Sequence, residues 1–162
     1  MAAGSLLKAK VPVEAVHAPQ LKAGLTNMGG TCYINSLLQI WFSNRLLRAG
    51  IYKSTSKGIL RELRRLFAQM QALDVKRISP VTLIDSLQID HHIQQDSQEF
   101  CKLLTACVEQ ECRIANDSVR NLMQDIYRGE YRYATTCQTC HRPSYSPGIF
   151  YELEIRITVL HT

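Results

Sequence analysis

Gly24-Leu25-Thr26-Asn27-Met28-Gly29-Gly30-Thr31-Cys32-Tyr33-Ile34-Asn35-Ser36-Leu37-Leu38-Gln39 is the stretch from which the rest of this 162-residue chain is read. Three glycines in a short segment precede a single cysteine, and from Ile34 to Leu47 the sequence turns strongly apolar. The pattern predicts a loop that delivers Cys32 to the first turn of a buried helix. At such a position the free N–H groups and the positive end of the backbone dipole favour thiolate over thiol. The thiolate is the nucleophilic form, which makes Cys32 a candidate catalytic residue. Asn27, five residues earlier, carries an amide able to donate toward the space beside the sulfur. That is the layout of a nucleophile with an oxyanion donor. An arbitrary free cysteine is more often a buried packing residue, but the glycines and Asn27 ahead of Cys32 argue against that reading.

Beyond this loop the periodicity is helical. A first helix is expected from about Cys32 to Arg48, with Ile34, Leu37, Leu38, Trp41 and Phe42 on a wide apolar face and Gly50 stopping it as a C′ glycine. A second is expected from about Gly58 to Leu73, its apolar residues at helical spacing and its arginines opposite. Ser79-Pro80 reads as the cap and first position of a short helix through Leu87. Asp96 and Glu99 read as an N-cap and its partner, opening a helix whose inner face is Phe100, Leu103, Leu104 and Cys107. A short helical turn should cover Val119 to Ile126. After Gly129 the period becomes two. Tyr131, Tyr133 and Thr135 mark one strand ending at Cys137, and Phe150 to Leu160 marks a second, joined by a turn rich in Cys, Pro and Gly. The fold class is α+β.

Composition narrows the classes further. With 46% apolar and 20% charged residues, the chain lies in the globular range and suffices for one domain. No stretch approaches the roughly 20 apolar residues of a membrane span. Residues 1–23 contain no apolar block of signal-peptide length and read as a flexible lead-in. These features lead us to expect an intracellular protein, cytoplasmic or nuclear, whose six cysteines are mostly reduced. The net charge of +5 is unevenly spread: residues 1–80 hold 12 Lys and Arg against 3 acids, residues 81–162 hold 7 against 11. The basic cluster Lys57, Arg61, Arg64 and Arg65 lacks interleaved aromatics and any nucleic-acid motif, which counts against a nucleic-acid partner.

The Cys32 stretch resembles the Cys box of the ubiquitin-specific proteases, papain-like cysteine deubiquitinases. That box reads Gly-Leu-x-Asn-x-Gly-x-Thr-Cys-Tyr-x-Asn-Ser-x-Leu-Gln, and every fixed position is met. Gln94-Gln95-Asp96-Ser97-Gln98-Glu99-Phe100 is similar to the family's Gln-Gln-Asp-x-x-Glu-Phe signature. Asp117-Ser118-Val119-Arg120-Asn121, Gly129-Glu130-Tyr131 and Phe150-Tyr151-Glu152-Leu153-Glu154 are similar to one branch of the family, so the resemblance runs from about Gly24 to Ile157.

The resemblance implies a papain-like cysteine protease fold, with residues 24–128 as the helical thumb, 129–162 as the first strands of the fingers, and the palm missing. It implies hydrolysis of the bond after the C-terminal glycine of ubiquitin. Cys32 would attack, Asn27 and the Cys32 N–H would hold the oxyanion, and Asp96 with Gln95 would bind the ubiquitin tail. The implied partners are ubiquitin and ubiquitinated proteins, without nucleic acid or membrane. No cofactor is implied for catalysis. Cys137 and Cys140 correspond to the first half of a zinc ribbon, but tetrahedral structural zinc takes four ligands and no second Cys-x-x-Cys follows. His141 beside them is expected to be a solvated turn residue. The family's catalytic histidine stands in a Gly-His-Tyr context, followed by an orienting Asp or Asn. None of His17, His91, His92, His141 and His161 is followed by Tyr. The expectation is therefore an incomplete, inactive copy of a deubiquitinase, or alternatively a catalytically silent ubiquitin-binding or regulatory fragment. Without a palm, Leu37, Trp41 and the Tyr151–Val159 strand should expose apolar surface and leave the chain partly molten.

Overall fold

Asn44 breaks the apolar run that follows Cys32. In the computed structural model, which describes residues 23–72, 75–90 and 95–153, helix α1 spans Cys32–Ser43 and α2 spans Arg45–Lys53. Asn44 is extended (φ −75°, ψ 106°), and its side-chain oxygen accepts the N–H groups of Leu46 and Leu47, both at 3.1 Å. Asparagine in that role is a strong N-cap, so the single helix expected over Cys32–Arg48 is two. Gly50, expected to stop it, lies buried inside α2. A Cβ at that position would fall 2.3 Å from Leu122 Cδ1. Glycine is there for close approach between helices rather than for a helix end.

Helix α3, Ile59–Ala72, follows the expectation, with Leu60, Leu63, Leu66, Phe67 and Met70 buried. Its N-terminus is capped from a remote part of the chain. Glu111 accepts the N–H of Ile59 at 2.6 Å and of Leu60 at 3.0 Å, and the Ser56 hydroxyl at 2.7 Å. Helix α4, Val81–Ser86, begins one residue later than expected: Pro80 stands at the cap position, and Ser79 Oγ accepts from Val81 N–H at 3.4 Å. Just before it, strand β2 (Arg77–Ile78) pairs in parallel with β1 (Gly24–Leu25), Gly24 opposite Arg77 and Leu25 opposite Ile78. Two-residue strands carry no alternation to read, so nothing local announces this pairing.

Helix α5, Ser97–Ala115, is capped by Asp96 as expected, and it buries Phe100, Leu104, Val108 and Cys112. That stripe advances by four residues, which leaves Leu103 outside it, 56% exposed, and Cys107 only half-buried. A 3-10 turn at Asp117–Val119 and helix α6, Leu122–Tyr127, replace the single turn expected over Val119–Ile126. Aromatic edges fasten the helices together. Tyr33 meets Phe100 edge-on at 5.1 Å and Phe42 meets Phe67 at 5.5 Å. Trp41, expected to be exposed, is 2% accessible because Tyr127 of α6 lies over it at 6.4 Å, and Leu37 is half-buried.

Strands β3 (Gly129–Thr136) and β4 (Pro143–Phe150) form an antiparallel hairpin, Gly129 opposite Phe150 and Thr136 opposite Pro143. The partner of β3 is therefore the segment assigned above to the turn, and Phe150 ends β4 rather than opening a strand. Residues 154–160, where that second strand was expected, lie outside the described residues. Pro143 and Pro147 are tolerated because both strands of a two-stranded sheet are edges. The hairpin is joined to the helices at its base. Tyr151 Oη donates to Glu109 Oε1 at 3.0 Å, and Glu152 accepts from Gln98 at 3.1 Å and pairs with Lys102 at 2.8 Å. Tyr151, expected to be exposed, is thereby half-buried. All six cysteines are free, and no helix among the described residues is long and apolar enough to cross a membrane.

Candidate active site around Cys32

The loop before Cys32 is bonded along its whole length. At its start Gly24 N–H donates to Lys76 O and Thr26 N–H to Ile78 O, both at 2.9 Å, which fixes the chain against β2. Gly29 takes φ 113°, a left-handed conformation open to glycine at little cost. Thr31 is fully buried; its hydroxyl accepts from Met28 N–H at 2.9 Å and donates to Asn27 Oδ1 at 3.0 Å. Asn35, in the first turn of α1, donates through Nδ2 to Thr26 O at 3.2 Å. Loop and helix start are one hydrogen-bonded unit, and Cys32 is its exposed apex at the first position of α1.

Asn27 is exposed, and its Oδ1 accepts from Thr31, so its Nδ2 group is the side chain's donor. Thr31 is the residue that sequence reasoning passed over. Its signal was an Asn and a Thr four residues apart across two glycines, a spacing that lets side chains bond inside a tight loop.

An open cleft of about 630 Å³ begins at Cys32 and passes Leu37 and Ile40 of α1, with Gln95, Asp96 and Cys101 on its other wall. The structure thus brings Cys32, Gln95 and Asp96 together, although more than sixty positions separate them in sequence. Asn27 is not part of the lining. Asp96 Oδ1 accepts the N–H groups of Gln98 at 2.7 Å and Glu99 at 3.0 Å. The backbone bonds from Glu99 and Gln98, aided by Lys102, hold its carboxyl below the ordinary 3.8. Both bonds use one oxygen, so the cap leaves Oδ2 for another donor. Tyr33, next to Cys32, has a buried hydroxyl without a hydrogen-bond partner. Burial, then the neighbouring Cys32, raises its pKa.

Residues 23–159 match the sequence profile described as ubiquitin carboxyl-terminal hydrolase. The chain belongs to the ubiquitin carboxyl-terminal hydrolase family. It is 38% identical over 149 residues to ubiquitin carboxyl-terminal hydrolase 48 of Danio rerio, covering 83% of this chain and 14% of that protein. The same-named protein of Gallus gallus is 38% identical over 152 residues, covering 83% and 15%. Ubiquitin carboxyl-terminal hydrolase 26 of Arabidopsis thaliana is 32% identical over 143 residues, covering 83% and 13%. The chain therefore spans only about a seventh of the length of the curated relatives it matches.

In this ubiquitin carboxyl-terminal hydrolase chain the remaining sequence-predicted residues lie away from the cleft lining. Cys137 and Cys140 are exposed in the turn between β3 and β4. Backbone N–H groups of Cys140 and Thr139, then the Cys140 side chain, bond to Cys137 and lower its pKa from the ordinary 9.0. His141 is exposed at φ 54°. Among the described residues no three His, Cys, Asp or Glu side chains gather as a metal site. The pair supplies two of the four ligands of a structural zinc, and so does not fit that ion by itself. His141 is the one histidine among the described residues, and the described lining of the cleft contains none.

Proposed function

We propose that this chain carries the nucleophile and the substrate-tail site of a thiol-dependent deubiquitinase, acting on the bond after the C-terminal glycine of ubiquitin. The observation that supports it is the exposed Cys32 at the head of α1, sharing one cleft with Gln95 and Asp96, in a chain of the ubiquitin carboxyl-terminal hydrolase family. In this reading Cys32 Sγ attacks the glycine carbonyl carbon. Charge developing on the carbonyl oxygen is met by Asn27 Nδ2 and the Cys32 backbone N–H. Asp96, with one carboxylate oxygen unused by its cap, pairs with the basic side chains and N–H groups of the extended ubiquitin tail, beside the Gln95 amide. Residues 24–128 correspond to the thumb and the chain from residue 129 to the start of the fingers.

Turnover also needs a proton acceptor for the thiol and a proton donor for the leaving amine. The described cleft holds no histidine, and no histidine of the chain is followed by Tyr. We read covalent capture of ubiquitin as the property these residues supply, and the proton acceptor as a further requirement of turnover. A second reading is a silent ubiquitin-binding or regulatory role. Incubating the whole chain with ubiquitin bearing a C-terminal electrophile separates the two. The nucleophile reading expects a single adduct on Cys32, lost in Cys32→Ala and slowed about tenfold in Asp96→Asn. Saturable ubiquitin binding without an adduct leaves only the silent reading, and no binding removes both.

A further inference from the structure

We propose that Glu152 is a positioning residue for Asp96: by engaging the Lys102 ammonium, it keeps that carboxylate available to a cationic substrate tail. This rests on the reading of Asp96 as the tail-binding carboxylate. The first turns of α5 form one wall of the cleft through Asp96, Ser97 and Cys101. Gln98 and Lys102 stand four residues apart and therefore share one face of that helix. Both donate to the same atom of Glu152. Gln98 Nε2 reaches Oε1 at 3.1 Å, and Lys102 Nζ reaches it at 2.8 Å. Gln98 is also held from its other end, since its backbone N–H donates to Asp96 Oδ1 at 2.7 Å. Asp96, Gln98 and Glu152 thus make one connected run of bonds from the cleft wall to the end of the hairpin.

The charges explain why an anion matters at that point. Side chains on a helix lean toward its N-terminus, so the flexible stem of Lys102 inclines toward the first turn, which Asp96 caps. Backbone bonds from Glu99 and Gln98 hold the Asp96 carboxyl below its ordinary value, and Lys102 adds to that lowering. An ammonium drawn fully onto Asp96 Oδ2 competes with the basic side chain of a substrate for the oxygen that the cap leaves over. Glu152 gives the ammonium a different carboxylate, at 2.8 Å. Glu152 lies two residues beyond β4, and its neighbour Tyr151 is tied to Glu109 of α5 at 3.0 Å. The exit of the hairpin is therefore fastened to α5 at two points, which fixes where this second carboxylate stands. Both partners of the ion pair are partly exposed, so its influence on binding is modest.

The test titrates the whole chain into ubiquitin labelled with a fluorophore at its N-terminus and reads Kd from the anisotropy. Glu152→Gln keeps an oxygen for Gln98 but removes the charge that engages Lys102. It is expected to raise Kd about threefold, with the iodoacetamide reactivity of Cys32 unchanged. Adding Lys102→Met to Glu152→Gln is expected to bring Kd back to the wild-type value, a coupling that loss of a structural tie does not produce. An unchanged Kd in Glu152→Gln would overturn the proposal. So would a weakening that Lys102→Met leaves in place, because Glu152 would then act only as a fastening of the hairpin. Asp96→Asn separates these failures from that of the underlying reading. If Asp96→Asn binds ubiquitin as tightly as the wild type, or the wild type does not bind it, the role of Asp96 falls and that of Glu152 falls with it.

Discussion

The Thr31 hydroxyl is closed off from solvent and bonded on both sides, to Met28 N–H and to Asn27 Oδ1. Replacing it by valine keeps the shape but leaves a backbone N–H without a partner in the loop. Thr31→Val should cost about 2 kcal/mol in urea unfolding. It should also slow adduct formation at Cys32 while leaving Cys32 exposed, because the loop beside it loses its anchor. At the same scale the cysteines sort by environment. Burial, with Glu111 and Glu109 nearby, pushes the Cys112 thiol up to about 11, whereas Cys32, Cys137 and Cys140 are exposed. Iodoacetamide at neutral pH should modify those three in the native chain and reach Cys112 only after denaturation. Native-state modification of Cys112 at a comparable rate would contradict the core described above.

Elements depend here on contacts that cross the sequence. The N-terminus of α3 is satisfied by Glu111, 52 residues from Ile59. Glu111→Ala removes three hydrogen bonds at once and should cost about 2 kcal/mol, with hydrogen exchange rising first at the Ile59 and Leu60 amides. If those amides stay as protected as in the wild type, the cap does not operate. Local signals do find α3 and the Asp96 cap, since both lie within a few residues of the positions they organise. The break at Asn44 was readable in principle, because Asn is a favoured cap. It was hidden by apolar residues that keep helical period on both sides. The pairing of β3 with β4 was obscured by the two prolines of β4, which suit an edge strand but resemble a turn.

Across the whole molecule, Glu109 is the junction between helices and hairpin. It accepts from Arg113 of α5, from Gln124 of α6 and from Tyr151 beyond β4. Burial alone would raise its carboxyl, but bonds from Gln124, Arg113 and Tyr151 outweigh this and hold it below the ordinary 4.5. A carboxyl lowered in the folded state contributes stability that is fully present above its unfolded pKa and is lost as pH falls through the folded one. The melting temperature should therefore decline as pH drops below 4.5, and Glu109→Gln should flatten that decline. An unchanged acid limb in the variant would show that another carboxyl governs it. The sequence by itself determined the helical body, the cap at Asp96 and the exposed cysteine at a helix start. Each of these is written in the chemistry of a few adjacent residues. Only the tertiary structure decided that Cys32 faces Gln95 and Asp96 across one cleft, that Trp41 is covered by Tyr127, and that Glu111 caps α3. These depend on which helix faces meet, and distant side chains acquire a common partner only when the core packs.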